Sequence, residues 1–339
     1  MKKLVVLVVF LGVIFSLHSP IWAGSEKRVG TNAGAQLLIP VGARDVAMGG
    51  SAVAYSSGIE ALYWNPAGLV RSEHNADLMV SRMDYIADIG VNYLAVGGNF
   101  AGFGALGFSL KSLSFGDIPV TTEEAPDGTG GVFSPTFMTA GLTYARQLTD
   151  RVFVGATLNL INEEIERVKS SGVAMNIGVQ YQDFVNIPGL NMGVVIKDVG
   201  TQMKYDGPGL MRITTVDGVL RYTKLEAASF DLPSTMELGM SYTLSLPANS
   251  VLHLNGVFQN NNYASDEYRL GGEYAFNNLA FVRVGYVSAD QSSDEYLYGM
   301  SYGGGLKLNI AGLDLTVDYA YRDVQVFAAN HIFALKFGF

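Results

Sequence analysis

The chain has 339 residues, no cysteine and a formal net charge of −9 at pH 7. The acidic balance argues against a nucleic-acid binder, which needs a basic face, and the lack of thiols excludes disulfides and thiolate metal sites. Hydrophobic content is an ordinary 49%, but 40 Gly, 18 Tyr and 18 Phe are spread through short alternating segments that suit a membrane β-barrel with aromatic girdles.

At the N-terminus, Lys2 and Lys3 precede an apolar run from Leu4 to Leu17, and the small Ala23 follows. A charged n-region, an h-region and a cleavage site read as a secretory signal peptide over residues 1–23. No Cys follows it, so a lipoprotein is excluded. After this leader, no apolar run approaches the roughly 20 residues of a spanning helix. Residues 24–75 are rich in Gly and Ala and carry turn signals instead of strand alternation. Gly49-Gly50 permits a tight bend and close backbone approach. Gly58 to Leu62 has room for one helical turn, which Asn65-Pro66 stops.

From residue 76 the chain breaks into segments of about ten residues, the length of a tilted membrane strand. Fourteen are expected: 76–85, 91–99, 102–113, 136–147, 151–162, 172–182, 190–199, 234–245, 250–259, 266–276, 279–288, 297–309, 313–322 and 330–339. In the sixth, Val173, Met175, Ile177 and Val179 share one face, and Ala174, Asn176, Gly178 and Gln180 the other. In the twelfth, Tyr298, Met300, Tyr302, Leu306 and Leu308 are expected to oppose Gly299, Ser301, Gly303, Gly305 and Lys307. The apolar set belongs in lipid and the polar set in a lumen. In the last strand Phe333, Leu335, Phe337 and Phe339 share the lipid face.

Loop lengths supply an independent criterion, because outer-membrane barrels have short periplasmic turns and longer outside loops. The even-to-odd connections are short, and the two long ones, 114–135 and 200–233, follow odd strands. The fold class is therefore all-β: a transmembrane antiparallel barrel of about 14 strands over residues 76–339. A barrel of that size leaves a lumen that must be filled. Residues 24–75 are the expected filling, an N-terminal hatch, with Tyr63 and Trp64 where a ligand or partner segment meets it.

The run from Gly42 to Leu69 contains Gly-Ala-Arg44, Met48-Gly49-Gly50 and Tyr63-Trp64-Asn65-Pro66-Ala67-Gly68-Leu69. These elements resemble the N-terminal hatch of the PorV/PorQ group of outer-membrane proteins, relatives of the FadL fatty-acid transporters, with Asn65-Pro66-Ala67 shared with FadL itself. Where that group often carries acids between the second and third elements, this chain has Ser56-Ser57-Gly58. The apolar alternation ending in Phe339 likewise resembles the C-terminal assembly signal of outer-membrane barrels. The resemblance implies a non-enzymatic protein of the bacterial outer membrane, in contact with lipid and the barrel assembly machinery. It implies either work with secretion-system proteins in surface assembly, or FadL-like uptake of long-chain fatty acids or other hydrophobic ligands.

Enzymatic and cofactor signals are weak. Three His follow the leader, His74, His253 and His331, and none pairs with another at metal-ligand spacing. His253 reads as a polar lumen residue and not as part of a catalytic dyad. Gly303-Gly304-Gly305 matches no phosphate loop and reads as a kink or a place of close approach to the hatch. Glu163, Glu164 and Glu166 are expected to be solvated beside an outside loop. No cofactor and no metal are expected.

Overall fold

The structure is a computed structural model that describes residues 30–216, 218–289 and 296–339. The expected signal peptide lies outside these residues. Fourteen antiparallel strands close into one barrel. They are β1 (Ala76–Asp84), β2 (Gly90–Phe100), β3 (Gly104–Ser114), β4 (Thr136–Thr149), β5 (Val152–Ile165), β6 (Val168–Tyr181), β7 (Leu190–Gly200), β8 (Thr235–Leu246), β9 (Ser250–Asn261), β10 (Glu267–Phe276), β11 (Ala280–Ala289), β12 (Tyr298–Ile310), β13 (Leu313–Val324) and β14 (Asn330–Gly338). Each lies within four residues of its expected bounds.

Alternation forms these strands because each one separates two media. Val173, Met175, Ile177 and Val179 are exposed on the outside of β6, and Ala174, Asn176 and Gln180 are buried inside. Closure removes the open edge that lipid would not tolerate. β14 pairs with β1 from Asp77↔Gly338 to Asp84↔His331. The last residue continues the ladder, with Phe339 N donating to Ala76 O at 2.9 Å.

One face assignment fails. The β12–β13 register shifts between Tyr298 and Ser301. A bulge adds one residue there and turns the strand. Tyr298 consequently points into the lumen, where its hydroxyl meets that of Tyr85 at 3.0 Å and the Arg322 guanidinium lies 4.1 Å from its ring centroid. Met300 and Tyr302 remain outside.

The two long outside connections carry small sheets of their own. Ile118–Pro119 pairs with Val132–Phe133, Met203–Lys204 with Ser229–Phe230, and Met211–Val216 with Val219–Lys224. The expected outside loop near 163–171 is instead a tight turn, because β5 and β6 continue pairing to Ile165↔Val168.

Residues 30–75 lie against the inner faces of the strands. They contain short helical segments at Ala35–Leu38, Ala43–Ala47, Gly58–Glu60, Ala61–Trp64 and Pro66–Arg71. Asn65, with φ −158° and ψ 107°, interrupts the helical path, and Pro66 starts the next turn, as a fixed φ favours. The core joins Val41, Val46, Ile59, Leu62, Trp64 and Leu69 of this segment to Met79, Met83 and Val91 of β1 and β2. Burying each such large apolar side chain contributes about 1.5–3 kcal/mol.

Candidate functional site

The N-terminal segment and the wall meet backbone to backbone, which only glycine on the wall permits. A Cβ at Gly155 of β5 would collide with Pro66, one at Gly178 of β6 with the Asn65 side chain, and one at Gly285 of β11 with Gly49. At Gly303 of β12 it would sit 2.8 Å from the Ala47 Cβ, so this glycine is a point of close approach as its sequence suggested. The many glycines of the chain are in part this inner seat.

The motif residues are what rest on it. Gly49 and Gly50 have φ of +65° and +71°, a left-handed bend that L side chains avoid, and a Cβ at Gly50 would meet the Trp64 ring at 2.8 Å. Met48 is fully buried against the wall, where the Asn255 amide approaches its sulfur at 3.6 Å. Asn65 Nδ2 donates to Val53 O at 3.0 Å and to Val179 O of β6 at 3.2 Å, while its Oδ1 accepts from Ala67 N at 3.2 Å. A Cβ at Gly68 would collide with the Ser56 carbonyl. Trp64 is buried and donates from Nε1 to Val41 O at 3.2 Å. It packs at right angles on Tyr63, whose hydroxyl donates to Leu37 O at 3.1 Å.

Arg44 belongs to a closed ring of six alternating charges. It contacts Glu273 of β10, which contacts Arg283 of β11, which contacts Asp318 of β13, which contacts Lys336 of β14, which contacts Glu60, which returns to Arg44, all between 2.5 and 3.1 Å. Tyr55 adds a bond from its hydroxyl to Glu273 Oε1 at 3.0 Å. Removing one member of such a buried set leaves an uncompensated charge and costs about 3–5 kcal/mol. Of the six, the sequence motif singled out Arg44. The others had a usable signal, since Glu273, Arg283, Asp318 and Lys336 are charges in mid-strand on the lumen face, where each needs a partner.

Asp45 sits beside the ring. Its Oδ2 accepts from Ser56 Oγ at 2.8 Å, and burial together with the Glu60 carboxylate pushes its pKa up to about 7. Ser56, in the stretch that departs from the PorV/PorQ pattern, therefore serves Asp45.

Two chambers flank the N-terminal segment. The outer one, about 320 Å³, is lined by Tyr63, Trp64, Leu37, Ile39 and by Lys197, Glu237, Glu267 and Arg269. Lys197 pairs with Glu237 at 3.0 Å and stands 4.6 Å from the Tyr63 ring centroid. The inner one, about 1280 Å³, opens among the periplasmic turns and is lined by Arg44, Arg71, His74, His253, Asn277 and Lys307. His253 faces it, with Nδ1 3.0 Å from Thr243 Oγ1 and its ring centroid 4.2 Å from that of Tyr55, the planes tilted by 31°.

Glu163 departs from expectation. It is buried, and its oxygens accept from Gly34 N at 3.1 Å and Tyr205 OH at 2.5 Å, so it ties the N-terminal segment to the long outside connection. Solvation was the wrong inference because β5 runs on past it. Glu164 does remain at the surface, paired with Lys169 at 2.9 Å.

The profile of the type IX secretion system protein PorV matches residues 23–222. The chain belongs to the PorV family. The match spans the N-terminal segment, β1 to β7 and part of the long outside connection. Among solved structures it is similar to the Ralstonia pickettii toluene transporter TbuX, with TM-score 0.57 and 14% identity over 88% of this chain and 98% of that one. Similar, too, are the Pseudomonas putida toluene transporter TodX (TM-score 0.55, 13% identity, 88% and 98% covered) and a Pseudomonas aeruginosa FadL homologue (0.56, 11%, 88% and 98%). These likenesses are of fold, the FadL-type barrel. A search of curated proteins finds no match. This PorV-family chain is an outer-membrane β-barrel, and its family and fold relatives are secretion and transport proteins.

Proposed function

We propose that this PorV-family barrel serves type IX secretion at the outer membrane, receiving or anchoring exported proteins at the cell surface, while residues 24–75 act as a hatch that seals the lumen. The observation that carries the reading is the family match, which covers the hatch and the first seven strands together. The geometry supports it. Arg44 and Glu60 of the hatch pair directly with Glu273 of β10 and Lys336 of β14, and Arg283 of β11 and Asp318 of β13 close the ring between those strands, an arrangement suited to a seal. In this reading the leader directs export, and Phe333, Leu335, Phe337 and Phe339 present the signal read by the barrel assembly machinery.

The second reading is a FadL-like carrier of long-chain fatty acids or other hydrophobic small molecules. Leu37, Leu38, Ile39 and Pro40 on one side of the outer chamber favour it. Lys197, Glu237, Glu267 and Arg269 oppose it, because an apolar ligand there would strip water from two ion pairs, Lys197–Glu237 and Arg269–Glu267, and offer no hydrogen bond in return.

Deleting the gene in its own bacterium separates the two. The secretion reading expects exported type IX cargo to accumulate in the periplasm, with hydrophobic uptake unchanged. Normal secretion with impaired fatty-acid uptake would establish the carrier instead.

A further inference from the structure

We infer that the inner chamber is a docking site for a carboxylate-bearing peptide segment entering from the periplasm, with Arg71 as its anion-binding group. Arg71 ends the helical turn Pro66–Arg71 and lines the chamber. Its Nη1 donates to Gln180 Oε1 at 2.6 Å, and the Gln182 amide, turned so that its oxygen faces the guanidinium, accepts from Nη2 at 2.7 Å and Nε at 3.2 Å. The guanidinium also lies 5.6 Å from the Phe153 ring centroid. Two neutral amides and a ring face thus fix the fork in place without neutralising it.

The other cations on the chamber wall are neutralised. Arg44, Arg283 and Lys336 belong to the charge ring, and Lys307 pairs with Asp314 at 3.1 Å and Glu73 at 3.3 Å. Arg71 alone among these has no carboxylate within 4.0 Å among the described residues. Burial pulls its pKa down to about 10, so it is strained as a cation yet charged at neutral pH. An arriving carboxylate supplies the missing charge, and a guanidinium with unused N–H groups binds it in fork geometry.

Size and lining select a peptide. The chamber, about 1280 Å³, exceeds the 300–1,000 Å³ or so of small-molecule pockets. Gln147 near the end of β4 and Asn249, Asn277 and Asn278 of the short turns line it, and such amides match the donors and acceptors of a main chain. The inference stands apart from the secretion reading, since it concerns the periplasmic face and is tested on purified protein.

The test is fluorescence anisotropy with full-length protein in detergent and a fluorescein-labelled peptide ending in three glutamates, beside the same peptide ending in three glutamines with an amidated C-terminus. Saturable binding of the acidic peptide is expected, at least about tenfold weaker in Arg71→Gln, intermediate in Arg71→Lys and absent for the neutral peptide. Arg71→Gln should stay non-conducting in planar bilayers, which separates ligand binding from a role in holding the hatch. No binding to the unaltered protein, equal binding to Arg71→Gln, or tighter competition by inorganic phosphate than by free triglutamate would overturn the inference. So would loss of binding accompanied by an open pore in Arg71→Gln.

Discussion

Arg44 of the N-terminal segment grips Glu273 of β10 at two points, Nε to Oε2 at 3.2 Å and Nη2 to Oε1 at 3.1 Å. Because Glu273 also holds Arg283, one carboxylate links Arg44 of the N-terminal segment to β11 of the barrel wall. Glu273→Gln leaves two buried guanidinium groups without their shared anion, a loss of about 3–5 kcal/mol. The variant is expected to show flickering openings in planar bilayers and to unfold at lower temperature. Glu164→Gln, which breaks an exposed pair with Lys169, should change neither.

The glycine seat makes a separate prediction. Gly178→Val places a branched side chain where the Asn65 amide lies, so the segment cannot settle on β6. Asn65→Ala instead removes three hydrogen bonds at a net cost of about 0.5–1.5 kcal/mol each. Protease added from the periplasmic side should cut residues 30–75 readily in Gly178→Val, more slowly in Asn65→Ala and least in the unaltered protein.

The barrel was legible because lipid and lumen impose opposite demands on successive residues. Val173 to Gln180 state that demand without ambiguity, and short turns such as Asn277-Asn278 fix its direction. Tyr298 was misplaced because a bulge changes face parity without marking composition. Glu163 was misread because nothing local reveals that Gly34 and Tyr205 will reach it. The charge ring was hidden for the same reason: Glu60 and Lys336 lie at opposite ends of the chain, and their pairing exists only after closure. Arg44 was visible through family resemblance, whereas its partners required the geometry of the lumen.

Asp45 gives stability a pH dependence. Its carboxyl moves from an ordinary value of 3.8 to about 7 in the folded protein. The folded state therefore binds the proton more tightly, and this group's contribution is fully present below about pH 4 and lost as pH rises through about 7. Thermal unfolding is expected at higher temperature at pH 5 than at pH 8, with the difference reduced in Asp45→Asn. An equal pH dependence in the variant would assign it to other groups.

Closure at β14 rests on its last residues. Phe337 pairs with both Leu78 and Leu315, and Phe339 bonds to Ala76. Deleting residues 337–339 removes that end of the seam and the terminal aromatic together. The truncated protein should be degraded or aggregated in the periplasm, and normal outer-membrane levels would contradict the proposed assembly signal.

Conductance of single barrels in planar bilayers tests the central claim that residues 24–75 seal the lumen. The full-length protein should be nearly non-conducting, and deletion of residues 25–70 should produce a steady, porin-like pore. Large steady conductance from the full-length protein, or a deletion that folds yet stays closed, would contradict it.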